Sequence, residues 1–170
     1  EVLPRGDKSE GLDLSGLIVL PGFIDQHVHG CDGADTCDDD PAALETMSSY
    51  LASQGVTSFC ATTMTVSFSL LEKILGYASL FQKSDYIGAS LAGIHLEGPY
   101  LSAGRSGVQN PDYIRKPDFE EFRSLADRFP GLIKIVDAAP ETEGAADFIR
   151  KASKLCTVSF SHSVANYERA

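Results

Sequence analysis

The sequence predicts an α/β fold, a parallel (β/α)8 TIM-type barrel with about the first five strands present. Two observations carry that expectation. Strand-like and helix-like stretches alternate with short connections, the pattern of right-handed βαβ units that lay a parallel sheet beneath helices. Metal-seeking side chains also stand where the first, third and fifth of those strands run out: His27 and His29, then Glu97, then His162. Carboxyl ends of alternate strands meet around one point only if the sheet curls, which favours a barrel over an open doubly wound sheet.

Periodicity and punctuation justify each element. Residues 22–29 read as a strand, and a helix opens at Asp40-Pro41, gathers Leu44, Met47 and Leu51 on one face and stops at Gly55. Residues 56–64 form the second strand. Ser69-Leu-Leu-Glu72 reads as a capping box ahead of a helix whose Leu71, Ile74, Leu75 and Ala78 make a buried stripe. The third strand spans 89–96, and a long loop, 98–117, leads to a helix capped by Asp118 with Phe122, Leu125 and Phe129 apolar. A fourth strand (131–138), a helix (142–154), a fifth strand (156–161) and a helix opening at Ala165 complete the chain. Five strands leave an eight-stranded barrel with open edges and an unfilled interior, so the chain is expected to be the front part of a larger protein.

Composition narrows the function classes. Hydrophobic residues make up 43% and charged residues 22%, ordinary globular usage. Fourteen basic against twenty-four acidic residues give a net charge of −10, with no Lys/Arg cluster to track a phosphate backbone, so nucleic acid and membrane surfaces are not expected partners. A small anionic substrate stays open, because a site can be locally positive. Cys31, Cys37, Cys60 and Cys156 form no C-x-x-C pair and the first residues carry no apolar signal segment, so a cytoplasmic protein is expected.

Residues two apart on a strand face the same side, so His27 and His29 converge while Val28 turns away. Two imidazoles with a carboxylate and a third imidazole form an N/O set suited to zinc, iron or manganese, with room for water. An isolated H-x-H reads equally well as two hydrogen-bonded imidazoles; Glu97 and His162 tip the reading to ligation. His95 shares a face with Glu97 and is read as a supporting side chain behind the ligands. Asp25, in register with His27, is read as orienting an imidazole or bonding nearby backbone. Arg105 reads as a solvated loop charge and Cys31 as a small buried residue. Asp32, Asp35 and Asp38 to Asp40 keep no EF-hand register and are expected to cap and charge the first helix.

Four segments, Pro21-Gly-Phe-Ile-Asp-Gln-His-Val-His-Gly30, Ile94-His-Leu-Glu-Gly-Pro-Tyr-Leu101, Gly107-Val-Gln-Asn-Pro111 and Ser161-His-Ser-Val-Ala-Asn166, together resemble the N-acetylglucosamine-6-phosphate deacetylases of the amidohydrolase superfamily. The resemblance implies a metal-activated water attacking the acetamide of N-acetylglucosamine 6-phosphate, releasing glucosamine 6-phosphate and acetate. It implies Glu97 and His162 as principal ligands, with His27 and His29 the pair that supports a second ion in members that keep it. One or two divalent ions follow, zinc ahead of iron, manganese or cobalt. Val108 and Gln109 match substrate-contacting positions; the family commonly has His at the latter, and Gln donates a hydrogen bond without titrating.

The resemblance also places a further His ligand, the general acid/base Asp and the phosphate-binding groups beyond Ala170, some of the latter from a partner subunit. No catalytic residue is therefore assigned within the chain, the fragment alone is expected to be inactive, and the complete protein is expected to be a homodimer acting on an amino-sugar phosphate. Residues 1–20 resemble the remnant of a small β domain with its lead-in strand, and 21–170 the first part of the catalytic barrel. Two alternatives remain open: a sibling amidohydrolase acting on N-acetylgalactosamine 6-phosphate, an N-acyl amino acid or a cyclic amide, and a catalytically silent metal-binding paralogue. Cyclic-amide enzymes generally carry Lys where Glu97 stands, which counts against them.

Overall fold

The computed structural model describes residues 13–168; the part of the expected small-domain remnant that falls on residues 1–12 lies outside them. In chain order the elements are β1 (Phe23–Val28), β2 (Gly30–Cys31), β3 (Ala34–Asp35), α1 (Ala43–Ser53), β4 (Val56–Thr63), α2 (Phe68–Phe81), β5 (Ser90–Tyr100), α3 (Phe119–Arg128), β6 (Ile133–Ala138), α4 (Ala145–Ala152) and β7 (Thr157–Ser159). Strands β2 and β3 form a small antiparallel hairpin. The other five form one sheet in the order β1-β4-β5-β6-β7, every pair parallel.

Leaving the hairpin aside, each strand lies beside the one before it in the chain, so the sheet has no point at which the winding reverses. Right-handed crossovers then put every helix on the same face. In a flat sheet, β1 and β7 would lie about 19 Å apart at about 4.8 Å per strand pair. Yet His27, at one edge, and His162, beyond the other, both reach the carboxylate of Glu97 on the middle strand. The sheet is therefore curled, five staves of a (β/α)8 barrel with its helices outside.

The core fills the space between staves and helices. Leu44, Met47 and Leu51 of α1, Leu71, Ile74, Leu75 and Ala78 of α2, Phe122 and Leu125 of α3, and Phe148 of α4 are buried, as their 3.6-residue spacing predicts. Phe59, Leu91, Leu96 and Val136 meet them from the sheet. Tyr100, Phe148 and Phe122 stack in sequence, with centroid separations of 4.7 Å and 5.6 Å, each side chain contributing about 1.5–3 kcal/mol through burial. The Tyr100 hydroxyl donates to Glu121 Oε1 at 2.9 Å, so the polar tip of this buried ring is satisfied.

Several boundaries depart from the sequence reading. Helix α2 starts at Phe68, capped by Ser67, whose hydroxyl accepts from the Leu70 amide at 3.3 Å; Glu72 is free of the expected capping box and pairs with Arg128. Packing of the half-buried Phe68 on the core explains the earlier start. Helix α4 begins at Ala145, after Gly144 in the left-handed region at φ 87°, because Thr142 is turned back to the Ala139 carbonyl. Asp118 caps α3 as expected, accepting from the amides of Glu120 and Glu121. The aspartate run is only partly a cap. Asp40 accepts from the Ala42 amide just ahead of α1, while Asp39 holds Lys73 and Tyr77 of α2.

Strand β5 continues to Tyr100, past its expected end, and residues 165–168 form no helix, Tyr167 and Glu168 lying in a turn. Residues 13–22 form no regular element, and Leu17, Ile18, Val19 and Leu20 there are exposed. No described helix is long and apolar enough to cross a membrane, and all four cysteines are free.

Candidate metal centre

The centre is assembled at the carboxyl end of the staves. A register shift in β1 between Asp25 and Val28 re-aims the strand end, and the Asp25 carboxylate accepts from the backbone amide of His27 at 3.0 Å. Of the two roles read for Asp25, backbone support is the one observed. Val28 is tied to the neighbouring stave by its amide, which donates to Thr62 Oγ1 at 3.1 Å. His27 and His29 thus reach the same space, their Nε2 atoms 3.2 Å apart.

Glu97 comes from β5 and is buried, with Oε2 2.8 Å from His29 Nε2 and 3.5 Å from His27 Nε2. Its other oxygen, Oε1, lies 2.8 Å from His162 Nε2. Gly98 aims this carboxylate. It sits at φ 96°, and a Cβ there would come within 2.1 Å of Thr65 Oγ1. Gly98→Ala is therefore expected to cost about 2 kcal/mol or more through backbone strain and the clash. A urea midpoint equal to that of the parent would contradict this account.

His162 lies beyond β7 in the left-handed region, at φ 45°. Its Nδ1 donates to the Arg105 carbonyl at 2.9 Å, while its own carbonyl accepts from the Ser102 amide at 3.0 Å. The loop after β5 therefore wraps around this imidazole, and Gly107 passes so close that a Cβ would lie 3.3 Å from its Cε1. Arg105 contributes its backbone here.

Tautomers decide what the cluster can hold. His29 faces the Thr62 carbonyl with Nδ1 at 3.1 Å, and His162 faces that of Arg105 in the same way, so in each neutral ring the proton sits on Nδ1. The Nε2 lone pair of His29 then faces Glu97 Oε2, acceptor against acceptor; at His162 burial works to lower the pKa, but the bonds to the Arg105 carbonyl and to Glu97 Oε1 outweigh it and raise it. Glu97 Oε2 is correspondingly buried without a hydrogen bond. The unpartnered Glu97 Oε2 beside two imidazole nitrogens suits a cation, and the side chains of His27, His29 and Glu97 offer ligand atoms all within 4.8 Å of one another. The donor set fits a divalent ion of the zinc, iron or manganese type.

The remaining predicted residues take distinct places. His95 is buried and stands behind the ligands, its ring 4.9 Å from that of His27. Its Nε2 meets Asp137 Oδ1 at 2.8 Å and its Nδ1 meets the Gln26 carbonyl at 3.3 Å. Acceptors on both nitrogens favour the imidazolium: burial works to lower its pKa, but the bonds to Asp137 and Gln26 outweigh this and raise it. Its nitrogens are thus engaged away from the His27, His29 and Glu97 group. His27 differs, since burial, only partly offset by Glu97, lowers its pKa and favours the neutral ring a metal requires.

Val108 is 86% exposed at the rim, whereas Gln109 is 2% exposed. Gln109 Oε1 accepts from the Thr65 amide at 2.6 Å and its Nε2 faces the Met64 thioether, so its amide pins the loop to the end of β4. Cys31 donates to the Met47 carbonyl and stays out of the cluster. Two residues escaped the sequence reading: Asp137, the partner of His95, and Glu141, which grips the segment after His162. For Asp137 the signal was a lone carboxylate near the end of an apolar strand.

Comparison with known proteins follows the same lines. The amidohydrolase family model matches residues 18–160. This chain belongs to the amidohydrolase family. It is 43% identical over 136 residues to the N-acetylglucosamine-6-phosphate deacetylase of Bacillus subtilis, covering 78% of this chain and 34% of that protein. It is 31% identical over 153 residues to the N-acetylgalactosamine-6-phosphate deacetylase of Escherichia coli O157:H7, covering 89% of this chain and 41% of that protein. Among solved structures, the N-acetyl-D-glucosamine-6-phosphate deacetylase of Mycobacterium smegmatis, in complex with N-acetyl-D-glucosamine-6-phosphate, superposes with a TM-score of 0.81 at 27% identity. That match covers 88% of this chain and 38% of the other. The amidohydrolase barrel thus accounts for the curled sheet, and the chain spans about two fifths of the length of the curated relatives it matches.

Proposed function

We propose that this chain forms the front part of the catalytic barrel of a metal-dependent N-acetylglucosamine-6-phosphate deacetylase. The observation that carries the reading is the Glu97 carboxylate with imidazoles on both oxygens, in a chain whose relatives are named for amino-sugar-phosphate deacetylation. Glu97 and His162 would serve as principal ligands, with His27 and His29 completing a site for one or two ions. Glu97 has two imidazoles at one oxygen and a third at the other, so donors for a second ion would be at hand, which supports the two-ion case.

A divalent ion bound there supplies Lewis acidity for an amide carbonyl and acidifies water. The residues of the chain provide the setting. The Thr62 and Arg105 carbonyls fix the tautomers of His29 and His162, and Glu97 supplies negative charge in a buried position. Gln109 holds the loop that carries exposed Val108 towards a substrate. Residues 1–20 would belong to a small flanking domain, and the working protein would be a cytoplasmic homodimer that completes its phosphate site outside these residues.

A second reading, N-acetylgalactosamine 6-phosphate as substrate, is favoured by the Escherichia coli relative. One assay separates the two: acetate release by the metal-loaded product of the full reading frame, given each sugar phosphate and unphosphorylated N-acetylglucosamine. Release from N-acetylglucosamine 6-phosphate alone supports the first reading. Preference for the galactose epimer supports the second, and release from neither, with metal bound, refutes both.

A further inference from the structure

The loop after β6 carries a carboxylate that the metal reading does not use. Glu141 reaches past α4 to the segment that follows His162, where Oε2 accepts from Ser163 Oγ at 2.7 Å and Oε1 accepts from the Val164 amide at 2.8 Å. Both contacts fall immediately after a residue held in the left-handed region, which L side chains seldom adopt. The loop that bears Glu141 is itself anchored: the Ala139 amide donates to the Tyr100 carbonyl at 2.9 Å, at the end of the strand that carries Glu97. Glu141 therefore closes a chain of contacts from β5 through β6 to His162, complementing the Ser102 and Arg105 backbone on the other side of the imidazole.

We infer that Glu141 is a positioning residue for the metal centre, holding His162 so that its Nε2 faces Glu97. The inference rests on the metal reading above. Removing the two bonds from Glu141 takes away the contacts that hold residues 163 and 164, and so favours relaxation of residue 162 towards a right-handed or extended backbone. Such relaxation would swing the imidazole away from Glu97 while leaving β7 in place. Glu141 spends its carboxylate on Ser163 and Val164 and is not among the side chains whose ligand atoms gather at Glu97, so its effect is expected in metal affinity and in the ligand field, with activity following as a consequence.

The test uses the full-length protein, stripped of metal and titrated with Co2+, with the visible absorption of the ion and the metal-induced rise in Tm as readouts. Glu141→Ala is expected to weaken Co2+ binding about 10–100-fold, in the range seen when groups that orient metal ligands are removed, and to alter the absorption band. Glu141→Gln keeps an acceptor for Val164 and a polar group for Ser163, and is expected to recover most of the affinity. Glu143→Ala, on the same loop but paired only with exposed Lys116, is expected to bind as the parent does. If Glu141→Ala does not fold, Ser163→Ala removes one of the two bonds from the opposite side and should weaken binding several-fold. Parent-like Co2+ affinity and spectrum in folded Glu141→Ala, or in Ser163→Ala, would overturn the inference. A parent protein that binds no Co2+ would overturn the metal reading and this inference with it, so the two failures are told apart.

Discussion

Glu97→Ala in the full-length protein is expected to lose bound metal, with affinity falling by more than about 100-fold, beyond the loss typical of a supporting group. The reason is geometric. This one carboxylate lies within 3.5 Å of the Nε2 atoms of His27, His29 and His162, so its removal takes the only anion from the cluster and leaves the imidazoles without a common centre. Elemental analysis after exhaustive dialysis checks this, and undiminished metal would exclude Glu97 as a principal ligand. Stability sharpens the test. If the cluster were a structural network of charged imidazoles around Glu97, truncation would cost about 3–5 kcal/mol, as breaking a buried ion pair does. If it is a metal site, the metal-free protein carries a buried carboxylate oxygen without a hydrogen bond, and truncation removes that burden. Metal-free Glu97→Ala is then expected to unfold at the same or higher urea concentration than the metal-free parent, and at lower concentration than the metal-loaded one.

The staves and helix faces were legible because each repeats a local signal. Leu71, Leu75 and Ala78 mark one face of α2 wherever the helix begins, and the strand-end positions of His27, Glu97 and His162 imply a curled sheet. Boundaries set by tertiary packing were less legible. Ser67 and Ser69 both precede the α2 stripe, and only the docking of Phe68 against the core selects the first as cap. The hairpin of β2 and β3 is too short to generate a period at all.

The site divides in the same way. The candidate cluster was readable because His27 and His29 are two residues apart and Glu97 stands at a strand end; the groups that hold them were not, because their partners are remote in sequence. Asp137 meets His95 across 42 positions, and Glu141 meets Ser163 across 22. Gln109 is a further case. Its motif suggested a substrate contact, and the structure adds a bond from the Thr65 backbone amide to its side-chain oxygen, a partner no local pattern could name.

Asp137→Ala is expected to be the most destabilising substitution outside the ligands, costing about 3–5 kcal/mol, because it strands the His95 imidazolium in a buried site. Burial works to raise the Asp137 pKa, but the bond from His95, with help from Ser161 and Ser159, outweighs it and lowers it; the His95 pKa is raised. Each shift has its own pH window. The depressed carboxylate adds stability that is present above its ordinary value of 3.8 and is lost as pH falls through the folded-state pKa. The raised imidazole adds stability that is present below 6.5 and is lost as pH rises through its own folded-state pKa. Together they support the fold most fully between those two values. Asp137→Asn keeps an oxygen for the hydrogen bond but no charge, so its deficit relative to the parent should be largest in that window and shrink as His95 deprotonates in the parent. Urea unfolding of the metal-free parent and Asp137→Asn at a series of pH values checks this, and the same pair compared in a His95→Gln background removes the part that the Asp137 charge contributes through His27 and His162. A deficit independent of pH would mean that His95 is neutral, with Asp137 serving only as a hydrogen-bond acceptor. A deficit that shrinks on the alkaline side would show that a buried charge pair ties the Gln26 end of β1 to β6, directly behind His27.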